Sequence, residues 1–204
     1  MDTNDTYKTL KGLSKGIYKD RGSRFLAFAY PVFSEEEIKP ILLTLRKKYH
    51  DARHFCYAYR LGAEKEFFRT NDDGEPSNSA GKPILGQIVA YDLTNVLIVV
   101  IRYFGGTLLG VGGLINAYRS AAADALSNSH VLTKTINDIY ELQFDYSSMN
   151  DVKKVIKEEK LTQFEQKFDS TCSITISVRK SRSENVVERL GKIEGLRIRY
   201  LRSG

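Results

Sequence analysis

Apolar residues fall along the chain in two alternating rhythms, a two-residue period that predicts strands and a three-to-four-residue period that predicts helices. Ser23–Val32 alternates and reads as a strand, paired with Lys15–Asp20 just before it. Ser34 with Glu37 three residues on has the spacing of a capping box, and Ile38, Ile41, Leu42 and Leu45 then carry a helix to about Tyr49. His54–Leu61 predicts an aromatic-rich strand, Arg69–Ser79 a polar loop, and Ser79 an N-cap for a helix with Pro83 in its first turn, ending near Tyr91. Thr94–Phe104 is a nearly unbroken β-branched run, the pattern of a strand buried on both faces. Gly105–Gly113 joins it to an Ala-rich helix, Leu114–Leu126, in which Ala117, Ala121 and Ala125 recur every four residues and predict close packing along that stripe. Residues 1–14 read as a polar lead-in.

After Ser129–Thr135, where polar residues interrupt the pattern, the rhythm becomes strand Asn137–Tyr146, with Tyr140, Leu142, Phe144 and Tyr146 on one face, and a helix from about Ser148. Strands Leu161–Phe168 and Thr171–Arg179 follow, with a turn at Asp169–Ser170, then a helix from near Ser183 and a last strand, Leu196–Leu201. The order βαββαβ is ferredoxin-like. The expected organisation is therefore α+β with two domains, residues 1–130 and 131–204.

Composition narrows the possibilities only modestly. Of 204 residues, 42% are apolar and 27% charged, ordinary values for a folded chain. The two cysteines, Cys56 and Cys172, show no metal-ligand or disulfide-framework spacing. The polar start has no signal-peptide pattern, and Val96–Ile101 is too short an apolar run to span a bilayer. A cytoplasmic protein without membrane contact, metal or cofactor is expected. The net charge of +6 is shared evenly by the two halves and permits contact with phosphate backbones.

Candidate chemistry concentrates in two stretches. The first, 102-RYFGGTLLGVGG-113, joins strand to helix through Gly105, Gly106, Gly110, Gly112 and Gly113. A glycine-rich turn before a helix start suits anion binding. Two familiar fingerprints fail there. Gly105 and Gly110 match a Walker A spacing, but Val111 and Gly112 stand where Lys and Ser/Thr belong. Gly110 and Gly112 begin a dinucleotide motif that Ile115 then breaks. Arg102 and Arg119 are within reach of the turn as anion partners. The second stretch, 71-NDDGEPSNSAGKP-83, holds Asp73, Glu75, Ser77, Ser79 and Lys82, and reads as a recognition loop, as a solvated connector or, on a weaker signal since no histidine joins its carboxylates, as a metal-assisted site. His54 and Cys56 point the same way on one strand, without an assignable third partner. No catalytic constellation emerges. In the second domain the face away from the core offers Thr171, Ser173, Thr175 and Ser177, with Arg197 and Arg199, and displays no pair of aromatics for base stacking.

Arg102–Tyr118 and Asn71–Leu85 resemble the two signature stretches of the YigZ/IMPACT family. The resemblance spans roughly Gly16–Leu126, and the tail is similar to the extra domain of the bacterial two-domain members. It implies a first domain like ribosomal protein S5 domain 2 and domain four of elongation factor G, and a second like that factor's last domain. Eukaryotic members restrain an initiation-factor kinase by competing for its ribosome-associated activator; for this chain the resemblance implies a translation-linked binding protein. Members commonly read GEPSGTAG and GGTKLG where this chain has Asn78 with Ser79, and Leu108, so Arg102 and Lys82 would carry the electrostatic part. The leading expectation is a non-enzymatic regulator binding RNA, the ribosome or a translation factor through Arg102, Tyr103, the junction glycines, Arg119 and the 71–83 loop, with Arg197 and Arg199 adding affinity. The alternative is an enzyme that holds a phosphorylated or carboxylated small molecule at the junction.

Overall fold

The computed structural model describes residues 5–169 and 171–204, and the chain divides there into two compact units. One is Tyr7–Lys134; the other is Thr135–Gly204 together with Asp5 and Thr6. Ser170, half of the predicted turn, and the first four residues of the predicted lead-in lie outside the described residues.

The first unit is built on a five-stranded antiparallel sheet. Its strands are β2 (Ser14–Asp20), β3 (Ser23–Pro31), β4 (His54–Leu61), β5 (Phe67–Asn71) and β6 (Val96–Tyr103), in the spatial order β2-β3-β6-β4-β5. The β-branched run supplies the central strand, β6, and both its faces are covered. Val96, Ile98 and Val100 enter a core with α2 (Gly81–Ala90) and α3 (Gly110–Ser127). Leu97, Val99 and Ile101 enter a second core with α1 (Ile38–Lys48). The alanine stripe of α3 packs on β2, where Gly16 has no room for a side chain: a Cβ there would lie 2.2 Å from the Ala125 nitrogen. That contact is held by the Ile17 amide, which donates to Asp124 Oδ2 at 2.8 Å.

Three local expectations are corrected. Part of the lead-in is strand β1 (Thr6–Leu10), paired with β7 (Val131–Thr135), and Tyr7, Thr9 and Leu10 are buried. The predicted loop begins as strand β5, since Arg69, Thr70 and Asn71 pair with Tyr59, Ala58 and Tyr57. No capping box forms at Ser34; α1 begins at Ile38 without a side-chain cap, and the Glu37 carboxylate accepts from the Phe33 amide instead. Pro40 is the reason. It lacks the N–H an interior position must donate, so the helix starts where Pro40 falls in the first turn.

The second unit comprises β8 (Asn137–Phe144), α4 (Met149–Glu158), β9 (Thr162–Phe168), β10 (Cys172–Arg179), α5 (Ser183–Leu190) and β11 (Arg197–Ser203). Its antiparallel sheet has the order β11-β8-β10-β9, the ferredoxin-like arrangement, so the α+β class read from the sequence is the observed one. Leu142, Phe144, Ile174, Ile176 and Val178 face Val152, Val155, Ile156, Val186 and Leu190 of the two helices. Tyr146 is not among them. Strand β8 ends at Phe144, the chain turns, and Tyr146 is exposed.

Candidate functional site

The two sequence stretches meet at the end of β6. Register places Arg102 between Phe25 of β3 and His54 of β4, on the face that carries α2 and α3. Arg102 is not a free cation. Its Nη1 donates to Glu75 Oε1 at 2.7 Å, and the two side chains are only 7% and 4% exposed. Tyr118 of α3 donates its hydroxyl to the same oxygen at 2.8 Å. The expected electrostatic role of Arg102 is therefore corrected: its charge is neutralised by the 71–83 stretch, which it anchors. Arg102 Nε is buried and has no hydrogen-bond partner among the described residues.

The other acids of that stretch are equally engaged. Asp72 accepts from the amides of Asn78, Ala80 and Gly81 at 2.8, 3.0 and 2.8 Å, so it caps α2 from nine residues away. Ser79, the expected N-cap, is fully buried and donates to the Pro76 carbonyl. Asp73 pairs with Arg46, accepts from the Phe55 amide at 2.7 Å, and offers its carbonyl to His54 Nδ1 at 2.9 Å. That bond needs the proton on Nδ1, so in the neutral ring Nε2 is the acceptor. Ser77 is exposed and accepts from the Asn78 side chain. Lys82 and Arg119 are exposed on their helices and form no ion pair among the described residues.

Cys56 shares the face with His54, as alternation requires, but the two do not form a dyad. The thiol is fully buried, within 3.0 Å of the Asp72 carbonyl and 3.3 Å of the Tyr118 hydroxyl. Burial pushes it well above the ordinary thiol range, and burial does the same to Tyr118. A thiol so held is a weak nucleophile.

The glycine junction is not one continuous loop. Gly110, Gly112 and Gly113 are the first turn of α3, which starts four residues earlier than predicted and has no side-chain cap. The low helix propensity of glycine is overridden there by packing further along the helix. Gly105 is indispensable on steric grounds, because a Cβ there would stand 1.9 Å from the Gly22 carbonyl carbon in the β2–β3 turn. Its amide also donates to Ser23 Oγ at 3.1 Å. Gly110 takes a left-handed φ of +69° that lets the chain turn into the helix.

Beside the junction lies a cavity of about 540 Å³, lined by Asp51, Ala52 and Arg53 before β4, His54 at its start, Tyr103 and the buried Arg102 at the end of β6, and Phe104 and Leu108 beyond β6. Phe104 and Leu108 are 56% and 81% exposed. Three arginines unremarked in the sequence are exposed nearby. Arg53 lines the cavity, Arg24 stacks over the Tyr103 ring at 5.0 Å, and Arg21 sits in the turn that Gly105 abuts. None of the three has an ion pair among the described residues. The β2–β3 turn against Gly105 brings Arg21 here and the β3–β6 register sets Arg24 opposite Tyr103, and nothing local in the sequence announces either.

Arg197 and Arg199 lie in the second unit, on the sheet face away from its helices. They are opposite Gln143 and Glu141, and Arg199 pairs with Glu141 at 2.6 Å. Arg202 joins the same face opposite Ile139, and Lys167 does so opposite Ser173. Among the described residues no group of three or more His, Cys, Asp or Glu is placed to hold a metal ion, and no helix is long and apolar enough to cross a membrane.

Residues 21–126, more than half of the chain, match the family described as the Impact N-terminal domain. The chain is similar to IMPACT family member YvyE of Bacillus subtilis, 32% identical over 153 residues, 75% of this chain and 70% of that one. It is also similar to IMPACT family member YigZ of Escherichia coli, 35% identical over 136 residues, 66% of this chain and 67% of that one. A crystal structure of a hypothetical protein superposes with a TM-score of 0.75 at 24% identity, covering 97% of this chain and 98% of its own, a likeness of fold.

Proposed function

The chain belongs to the IMPACT family, and from that membership we propose that it is a translation-associated regulatory protein that works by binding RNA. The observation that carries the binding half of this reading is the open sheet face of the second unit. Arg197, Arg199 and Arg202 stand at alternate pairing positions along β11, with Lys167 across the sheet on β9, all exposed. Ser177 lies between them on β10, a short hydroxyl side chain that lets a sugar–phosphate backbone approach and can donate to it, while Ser173 beside it donates to Glu141 at 3.2 Å. The sheet offers charge and hydroxyls without a pair of base-stacking aromatics, which fits phosphate contact and not sequence readout. Catalysis has no support from the 71–83 carboxylates or from Cys56, all of which are tied into internal bonds.

The test is a salt titration of binding to a fluorescein-labelled single-stranded RNA, with co-sedimentation on ribosomes for the translation half. Each phosphate neutralised on a single strand contributes about 0.7 to the slope of log K against log salt. Arg197→Ala/Arg199→Ala/Arg202→Ala is expected to lower that slope by about 2. A wild-type slope near zero, or a variant with an unchanged slope, overturns the assignment of this face.

A further inference from the structure

We infer that the cavity at the end of β6 seats one unpaired base of an RNA strand against Phe104, with the flanking phosphates on Arg21, Arg24 and Arg53. This rests on the RNA-binding reading above and locates a second contact, in the first unit. Three observations meet there. The cavity of about 540 Å³ lies within the roughly 300–1,000 Å³ range of small-ligand sites. Its rim carries Phe104, more than half exposed, beside Leu108, the most exposed large apolar side chain among the described residues. An aromatic face next to an apolar wall is what a nucleobase stacks on, whatever its identity. Arg53 lines it, Arg24 lies over the ring of Tyr103, which also lines it, and Arg21 is in the turn that abuts Gly105; none of the three has an ion pair among the described residues.

The floor explains why a base, and not a phosphate, enters. Arg102 is already neutralised by Glu75 at 2.7 Å, so the depth of the cavity has no net charge to offer an anion. Asp51, on the wall, is held by the Tyr103 hydroxyl at 2.8 Å and disfavours phosphate there. What the floor does offer is hydrogen bonding. With Nδ1 donating to the Asp73 carbonyl, the neutral His54 ring has Nε2 as its acceptor. It suits an exocyclic amino group such as that of adenine. The Arg102 guanidinium lies over one face of the Phe104 ring, 5.6 Å from its centre, and the other face of this half-exposed ring is left for the base. Phosphates are then left to the rim, where the free arginines are.

Three probes test this: labelled oligo(A) RNA, the same length of abasic RNA, and free AMP. Phe104→Ala is expected to weaken oligo(A) binding roughly 5- to 150-fold and to leave the abasic strand unaffected, while Phe104→Tyr retains wild-type affinity. Arg24→Ala/Arg53→Ala is expected to lower the salt slope for both strands by about 1.4. Wild-type binding to oligo(A) that Phe104→Ala does not change overturns the base site and leaves the RNA reading standing. Wild-type binding to neither strand overturns both. AMP bound as tightly as oligo(A) would mean a free-nucleotide site and overturns the assignment to RNA.

Discussion

Replacing Glu75 with Gln is expected to destabilise the first unit by about 3–5 kcal/mol, the usual consequence of removing one partner from a buried pair. The reasoning starts from the geometry. At 2.7 Å and an effective dielectric of about 20, the Glu75–Arg102 attraction is about 6 kcal/mol before the desolvation of either group is counted. With both side chains more than nine-tenths buried, that desolvation offsets most of the gain, so the intact pair contributes little net stability. Glu75→Gln keeps an oxygen to accept from Tyr118 and from Arg102, yet leaves the guanidinium buried without a counter-charge. Arg102→Met in the Glu75→Gln background removes that charge, and the double variant should recover most of the loss. Urea unfolding followed by circular dichroism reads the free energies, and the midpoint temperature of Glu75→Gln should fall by roughly 10–15 °C. A cost below about 1 kcal/mol, or a double variant no more stable than Glu75→Gln, would show that Arg102 reaches solvent and that the reasoning is wrong.

The junction glycines separate by the same kind of test. Gly105→Ala has no room against the Gly22 backbone and should cost more than about 3 kcal/mol or prevent folding, whereas Gly112→Ala meets open space and should raise stability by roughly 0.5–1 kcal/mol, both read by thermal melts. Asp72→Ala removes the acceptor for three amides and should cost about 2 kcal/mol, with faster hydrogen exchange at Ala80 and Gly81 as its local signature. Asp5 gives a pH prediction. Hydrogen bonds from Arg179 and then Ser181 lower its carboxyl to about 2, below the unfolded value of about 3.9. Its contribution is therefore present above pH 4 and lost as pH falls through about 2. The stability difference between wild type and Asp5→Asn should shrink over that window, and a difference independent of pH down to 2 would refute the assignment.

Much of the fold was legible because its signals are local. The unbroken run Val96–Tyr103 could only be a strand covered on both faces, and the Ala117/Ala121/Ala125 spacing demanded a close neighbour, which proved to be Gly16. The site was far less legible, because its bonds join residues distant in sequence. Arg102 could be seen to sit beside a glycine turn, but its cancellation by Glu75 spans 27 residues and no spacing rule encodes it. Asp72 caps a helix from nine residues away, where local rules look one to three residues back and so favoured Ser79. Strand β1 was missed because its hydrogen-bonded neighbour, β7, lies at the far end of the unit and its own residues alternate too briefly to stand out.

The charge of the first unit also reads differently once its partners are known. The stretch 71–83 reads from the sequence as a recognition loop or a solvated connector, but Asp72, Asp73 and Glu75 point into backbone amides, Arg46 and Arg102. Arg21, Arg24, Arg53, Lys82 and Arg119 have no such partners among the described residues and remain on the outside. At physiological ionic strength a bound polyanion senses charges within about 8 Å, so this segregation matters more than the even division of the net charge between the two halves. A motif dense in carboxylates thus builds the frame behind the junction, and the cations scattered through the rest of the unit define what can approach it.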